Sequence, residues 1–326
     1  MTSDTSDRGK NIVDVSSNAY SKHKLPFPYT YINSLRLPTT DFSDSKVLIT
    51  GANGQLGFDF RRILDSIGVE YIATDYKELD ITQKDLVFDF IKSKGFDLII
   101  NCAAYNDVDK AEDDVDNCYK LNSFAPHYLS QAAKEVKANF ITYSTDFVFD
   151  GSKNAPYTEN DKPNPLSTYG KSKLEGENHV LEEYDRSIVI RTSWLFGINN
   201  KNFNTQVLNW AKNSKELKIV DDQVSSPTYS FDLALFSILL LEKKVFGLFH
   251  FSNDGVASKY DQAFYLLNKI GWDGVIHRGK TSEFNLKAKR PSFSKLDSSK
   301  IESIKGIKIP TWQSGIDRWW EEYNAF

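Results

Sequence analysis

The sequence predicts an α/β fold: a doubly wound parallel sheet that carries a smaller mixed α/β lobe. Three observations lead there. Short apolar runs suited to buried strands recur at 46–50, 69–74, 97–101, 139–144, 187–191 and 246–251. Between them, around 55–67, 83–94, 113–135 and 168–184, apolar residues fall at helical spacing. Gly51, Gly54 and Gly57 close the first strand and open the first helix. Strand and helix in alternation imply right-handed crossovers and a parallel sheet, with any ligand beyond the carboxyl ends of the strands.

Residues 1–45 precede the first strand and stand outside this pattern. Thr2 to Asn18 is polar and is expected to be mobile. Leu25 to Leu37 is too aromatic for a solvated tail and is expected to pack as an arm, on its own domain or on a second copy of the chain.

The first unit runs Lys46-Val-Leu-Ile-Thr-Gly-Ala-Asn-Gly-Gln-Leu-Gly57. Strand, glycine turn and helix in that order read as a Rossmann-type dinucleotide site, although the spacing is G-x-x-G-x-x-G rather than G-x-G-x-x-G. Gly51 permits the tight turn, Gly54 lets the backbone approach a pyrophosphate, and Gly57 lets the helix lie close on the strand. The second strand ends on Asp75, which suits hydrogen bonding to the adenosine ribose and repels a 2′-phosphate. That favours NADH over NADPH; a plain loop cap is the other reading of this acid.

The third strand ends in Asn101-Cys-Ala-Ala-Tyr105, where Ala103 and Ala104 leave room for a flat cofactor and Asn122 is placed to brace the loop. The fourth ends in Tyr143-Ser-Thr-Asp-Phe-Val-Phe-Asp-Gly151, followed by a loop with Pro156, Pro163 and Pro165. Ser167 or Thr168 then caps a helix in which Tyr169 and Lys173 share a face, while Lys171 points elsewhere. An ammonium beside a phenol favours the phenolate, so a lowered Tyr169 pKa is expected. Such a tyrosine can give a proton to a carbonyl oxygen as hydride reaches the carbon, with Thr145 completing the hydrogen bonds there.

The formal charge of −4 over 326 residues, with both signs interspersed, gives no electrostatic case for nucleic acid. Two cysteines, Cys102 and Cys118, argue against a disulfide scaffold and fit a reducing compartment. The N-terminus has no apolar signal core, and the longest apolar run, Leu233 to Leu241, is about half of a membrane span. A cytoplasmic protein without a membrane segment is expected. His250 and His277 have no partners at metal-ligand spacing, so no metal site is assigned.

Taken together, Gly51-Ala-Asn-Gly-Gln-Leu-Gly57, Asn101-Cys-Ala-Ala-Tyr105, Val108-Asp-Lys-Ala-Glu112, Ser144-Thr-Asp-Phe-Val-Phe-Asp-Gly151 and Tyr169-Gly-Lys-Ser-Lys-Leu-Glu-Gly-Glu177 resemble the extended short-chain dehydrogenase/reductases. Within them the chain is most similar to the dTDP-4-dehydrorhamnose reductase family. The likeness continues through Arg191-Thr-Ser-Trp-Leu-Phe-Gly197, Asn202-Phe203, Asp222-Gln223, Pro227-Thr228 and Arg290-Pro291, covering about residues 46–325. It implies NAD(P)H-dependent reduction of the C4 ketone of dTDP-4-dehydro-L-rhamnose. It implies Tyr169 as proton donor, Lys173 as its electrostatic partner, and Thr145 as the donor to the carbonyl.

The resemblance further assigns Gly54, Gln55, Leu56, Asp75, Asp80, Ile81, Ala104, Tyr105 and Tyr143 to the cofactor. Gly51, Asn53 and Ala103 extend that set, together with Tyr169 and Lys173. Asp146, Trp194 and Asn202 fall on the substrate side, the Trp194 indole either stacking on the deoxysugar or packing in the core. Some family members use a divalent cation such as Mg2+, which Glu321 and Glu322 alone do not establish, and a homodimer is left open.

The chain departs from the family pattern at Asn106, Asp107, Phe147, Ser225 and Ser258-Lys259. None of these is Thr145, Tyr169 or Lys173, and the last two lie in the substrate half. Residues 46–191 with about 229–252 are expected to form the dinucleotide domain, and about 192–228 with 253–326 the substrate lobe. A nucleotide sugar would bring a diphosphate to that lobe. Arg290 is the guanidinium proposed to meet it, a solvated basic loop being the alternative. Trp312, Trp319 and Trp320 read as core or oligomer contacts.

Two rival readings are an epimerase or dehydratase of the same superfamily and a non-catalytic regulatory subunit like that of methionine adenosyltransferase. Phe147, where dehydratases carry a glutamate, weighs against the first. The complete Thr145, Tyr169 and Lys173 set weighs against the second.

Overall fold

The computed structural model describes residues 45–304 and 308–325. The aromatic segment Leu25 to Leu37 lies outside them. Strands β1 (Val47–Thr50), β2 (Tyr71–Thr74), β3 (Leu98–Asn101), β4 (Asn139–Thr145) and β5 (Ser187–Thr192) alternate with helices. The helices are α1 (Gln55–Ile67), α2 (Lys84–Lys94), α3 (Val115–Tyr119), α4 (Ala125–Val136) and α5 (Thr168–Glu183). Then follow β6 (Leu195–Phe196), α6 (Phe203–Asn213), β7 (Glu216–Val220), β8 (Val224–Ser225), β9 (Thr228–Tyr229) and α7 (Ser230–Glu242). The remainder is β10 (Gly247–His250), β11 (Ala257–Ser258), α8 (Lys259–Lys269), β12 (Val275–Gly279), α9 (Ser299–Glu302) and α10 (Trp312–Ala325).

The six strands expected from the sequence form one parallel sheet in the order β10-β5-β4-β3-β1-β2. The chain moves outward from β1 to β2, then returns across β1 to β3. That reversal opens a crevice at the carboxyl ends of β1 and β3. Alternate strand residues face opposite sides. Val47 and Ile49 pack with α1 and α7, while Leu48 packs with α2, α4 and α5. Both faces are therefore covered, which is why the strands are continuously apolar.

One expected helix is broken. The pattern over 113–135 suggests a single rod, but a π-helical turn at Lys120–Phe124 separates α3 from α4. The widened turn carries Asn122 inward. Gly176 on α5 packs so close to it that a Cβ there would sit 2.1 Å from the Asn122 carbonyl oxygen. Periodicity does not register this, since a π turn shifts the helical phase by one residue.

Helix α7 is buried from Ser230 through Leu241, so its apolar run is core. Among the described residues no helix is long and apolar enough to cross a membrane. Trp312 and Trp319 are core residues of α10, and the Trp319 indole N–H donates to the Gly197 carbonyl at 2.8 Å.

Beyond the sheet, β6 pairs with β9, β7 with β12, and β8 antiparallel with β11. The β8–β11 pairing matters for the site. It sets the end of β11, from which α8 starts, beside Ser225, whose hydroxyl donates to Asp146 at 3.2 Å just past the end of β4.

Candidate active site

The glycine turn after β1 has the geometry its spacing predicts. Gly51 has φ +64°, and a Cβ on it would lie 2.5 Å from the Ala103 backbone nitrogen. The tips of β1 and β3 thus touch backbone to backbone, which only glycine permits. On Gly54 a Cβ would meet only the Gly51 carbonyl, at 3.2 Å, leaving its other side open to the crevice. That crevice holds a cavity of 900 Å³ lined by Gly51, Asn53, Gly54, Asp75, Asp80, Ile81, Ala103, Ala104 and Tyr105, all singled out from the sequence.

Asp75 faces this cavity from the tip of β2. Its carboxylate accepts from the Asn53 amide at 3.2 Å and the Tyr76 amide at 3.0 Å. The acid therefore braces the glycine turn and also presents negative charge to the crevice. Asn122 holds the β3 loop as expected: Oδ1 accepts from the Tyr105 N–H at 2.8 Å, and Nδ2 donates to the Tyr105 carbonyl at 3.0 Å. An open glycine cradle, a close strand tip and an acid at the end of β2 together fit a dinucleotide lying across the sheet.

A second cavity, of 310 Å³, lies over the tips of β3, β4 and β5 and is lined by Gln55, Leu56, Tyr143, Thr145, Asp146, Tyr169, Lys173 and Trp194. It shares Gly54, Cys102, Ala103, Ala104 and Asn106 with the first, so the two are contiguous. Ser167 caps α5 by accepting from the Gly170 N–H at 3.2 Å. Thr168 donates to Glu112 through its amide and hydroxyl at 2.8 and 3.0 Å. These contacts set the helix phase that turns Tyr169 and Lys173 inward while Lys171 remains exposed.

The ammonium does not act on the phenol as expected. Lys173 Nζ donates to the Tyr143 carbonyl at 2.8 Å. Burial pushes the Tyr169 phenol well above its ordinary pKa, with only a partial offset from the neighbouring Thr145 hydroxyl. Burial likewise lowers Lys173 to about 8, against the attraction of Glu177. The expected depression of Tyr169 is thus overturned: desolvation raises the phenol, the nearby Asp146 charge raises it further, and the Lys173 ammonium is bound to the Tyr143 carbonyl instead. The phenol consequently holds its proton.

Asp146 is buried and raised to about 6, because desolvation exceeds the help of hydroxyl donors from Ser294, Thr145 and Ser225. Phe147 sets its ring edge-on to Tyr169, with centroids 6.0 Å apart. Trp194 sits at φ +45°, a left-handed conformation that costs a bulky residue about 1–2 kcal/mol. The Thr228 N–H holds its carbonyl at 3.2 Å. Strain of this kind persists where surrounding structure imposes it.

Two residues assigned to the substrate line neither cavity. Asn202 caps α6, its Oδ1 accepting from the Thr205 N–H at 3.1 Å and its Nδ2 reaching Gly197 at 2.7 Å and Gln55 at 3.1 Å. Arg290 is held by Asp109 through two bonds, 3.1 and 2.6 Å. Glu322, weighed for a cation, pairs internally with Arg62 at 2.6 Å.

The sequence reading did not mark Asn199 and Asn200, whose side chains clamp the Asn53 carbonyl at 2.8 and 2.6 Å. Nor did it assign a role to Lys259, whose ammonium lies 3.7 Å from the centroid of the Trp194 ring. Neither contact leaves a local signal, since each joins distant segments.

The chain matches the family model described as RmlD substrate binding domain over residues 45–325. It is 40% identical to a dTDP-4-dehydrorhamnose reductase of Aggregatibacter actinomycetemcomitans, covering 83% of this chain and 97% of that protein. A solved dTDP-4-dehydrorhamnose reductase from Clostridium acetobutylicum superposes with a TM-score of 0.83 at 40% identity, covering 85% of this chain and 98% of that one. The Bacillus anthracis enzyme of the same name, solved in complex with NADP, gives 0.83 at 33% identity and covers 85% and 99%. By the family match and by that identity over most of both chains, the chain belongs to the dTDP-4-dehydrorhamnose reductase family.

Proposed function

We propose that the protein reduces the C4 ketone of a nucleotide-activated 4-keto-6-deoxyhexose, dTDP-4-dehydro-L-rhamnose above all, using a nicotinamide cofactor. The observation that carries this is the meeting of Thr145, Tyr169 and Lys173 in a sugar-sized cavity that shares a wall with the dinucleotide crevice. Gly51, Asn53, Gly54, Asp75, Ala103 and Ala104 would hold the dinucleotide, which when bound supplies hydride. Tyr169, protonated, gives its proton to the ketone oxygen as charge develops there. Thr145 turns its hydroxyl from Asp146 toward the same oxygen. Lys173, anchored on the Tyr143 carbonyl, keeps positive charge behind the phenolate that forms. Trp194 offers a flat apolar face to the deoxysugar. About 192–228 with the described residues from 253 onward is the proposed substrate lobe.

The reading is tested by following NADH absorbance against dTDP-, UDP-, GDP- and CDP-linked 4-keto-6-deoxyhexoses. Oxidation should be fastest with dTDP-4-dehydro-L-rhamnose; no ketone-dependent oxidation with any of them would remove the assignment.

NADH is the proposed preference, on the strength of the Asp75 carboxylate in the crevice. Changing Asp75 to Ala should move the kcat/KM ratio toward NADPH by about tenfold, equivalent to about 1.4 kcal/mol. An unchanged ratio would sink the preference and leave Asp75 as a brace for the Asn53 amide.

A further inference from the structure

We infer that Lys259 is the cation that receives the substrate diphosphate. This rests on the nucleotide-sugar reading above and names a contact within it. Lys259 begins α8, directly after the β11 strand that pairs with β8 beside Asp146. Its ammonium lies 3.7 Å from the Trp194 ring centroid and 4.6 Å from that of Phe203. Asp146 attracts it and Arg290 repels it, so it stands within electrostatic reach of the cavity wall.

Lys173 lines the cavity, Arg290 acts on Lys259 from outside it, and both are already engaged. Lys173 donates to the Tyr143 carbonyl at 2.8 Å. Arg290 is neutralised by a two-bond pair with Asp109. Lys259 rests on two aromatic faces, and among the described residues its three N–H donors meet no hydrogen-bond acceptor or paired carboxylate. Ring faces attract a cation but accept its hydrogen bonds poorly. Burial has drawn its pKa down to about 7, with Asp146 opposing. A group in that condition gains most from an anionic oxygen alongside it.

The substrate class determines which anion arrives. A 6-deoxyhexose is neutral, so the only charges between its ring and the nucleoside are those of the diphosphate. With the ketone at Tyr169 and the sugar over Trp194, the diphosphate is the part that follows past the indole, where Lys259 lies. The aromatic floor aims the ammonium and leaves its donors unspent.

The experiment measures dTDP and thymidine binding calorimetrically to the full chain saturated with NADH. Lys259→Met keeps the aliphatic stem over the rings and removes the charge. It should weaken dTDP by about tenfold or more while thymidine binding stays unchanged. Lys259→Arg, which retains the charge, should stay within about threefold of the parent. Parent-like dTDP affinity in Lys259→Met would overturn the inference alone, as would equal losses for dTDP and thymidine, which would mark a disturbed aromatic floor. Absence of binding by the parent chain to dTDP, UDP, GDP and CDP alike would remove the nucleotide-sugar reading itself, and this contact with it.

Discussion

Replacing Tyr169 with phenylalanine is expected to lower ketone turnover by about 10³-fold, within the range a positioned proton donor contributes. The ring, its edge-on contact with Phe147 and the helix cap at Ser167 all survive that change. Only the hydroxyl beside Thr145 is lost. Cofactor affinity, read from quenching of protein fluorescence on NADH addition, should therefore stay within about threefold. The raised Tyr169 pKa sharpens the expectation, because the residue enters the reaction as an acid rather than as a phenolate needing reprotonation. Turnover by the variant at close to the parent rate would place the proton donor elsewhere and leave Tyr169 as a packing residue.

The largest effect on stability should come from one layer below. Glu177 lies one turn beyond Lys173 and is bound by Arg191 through Nε at 2.9 and 3.1 Å and Nη2 at 2.7 Å. Both side chains are almost fully buried, 3% and 2% exposed, and the Ser144 hydroxyl also donates to Glu177. Arg191 reaches onward to His250, whose pKa burial lowers to about 3. Removing one member of such a pair strands the other charge in a dry interior, at a cost of about 3–5 kcal/mol. Glu177→Ala should show that loss in urea denaturation at neutral pH. Replacing Glu177 and Arg191 together by Met should cost clearly less than Glu177→Ala, because no charge is stranded. A loss below about 1 kcal/mol for Glu177→Ala would mean that water or a rearranged Ser144 satisfies Arg191.

Much of the candidate site is legible in the sequence. The glycine turn could be read because each of its residues meets a local steric need, visible as Gly51 at φ +64° against Ala103. Tyr169 and Lys173 could be read because helical spacing alone puts them on one face. The π turn at Lys120–Phe124 was not legible, since the sequence keeps helical spacing while one residue is added to the turn. The pKa of Tyr169 was misjudged for a related reason. Spacing reports which groups are neighbours but not how dry their surroundings are, and here burial is the largest cause of the raised phenol.

By itself, the sequence determined the alternation of strands and helices, the strand tips that meet at the crevice, and the phase of the helix that carries Tyr169 and Lys173. These follow from backbone sterics and short-range periodicity, which act over a few residues. Only the tertiary structure decided that Arg290 is held by Asp109, that Asn202 serves as a helix cap, and that Lys259 comes to rest on Trp194. Those outcomes join segments far apart in the chain. Which charge finds a partner depends on how segments far apart in the chain pack together, and no local pattern encodes that packing.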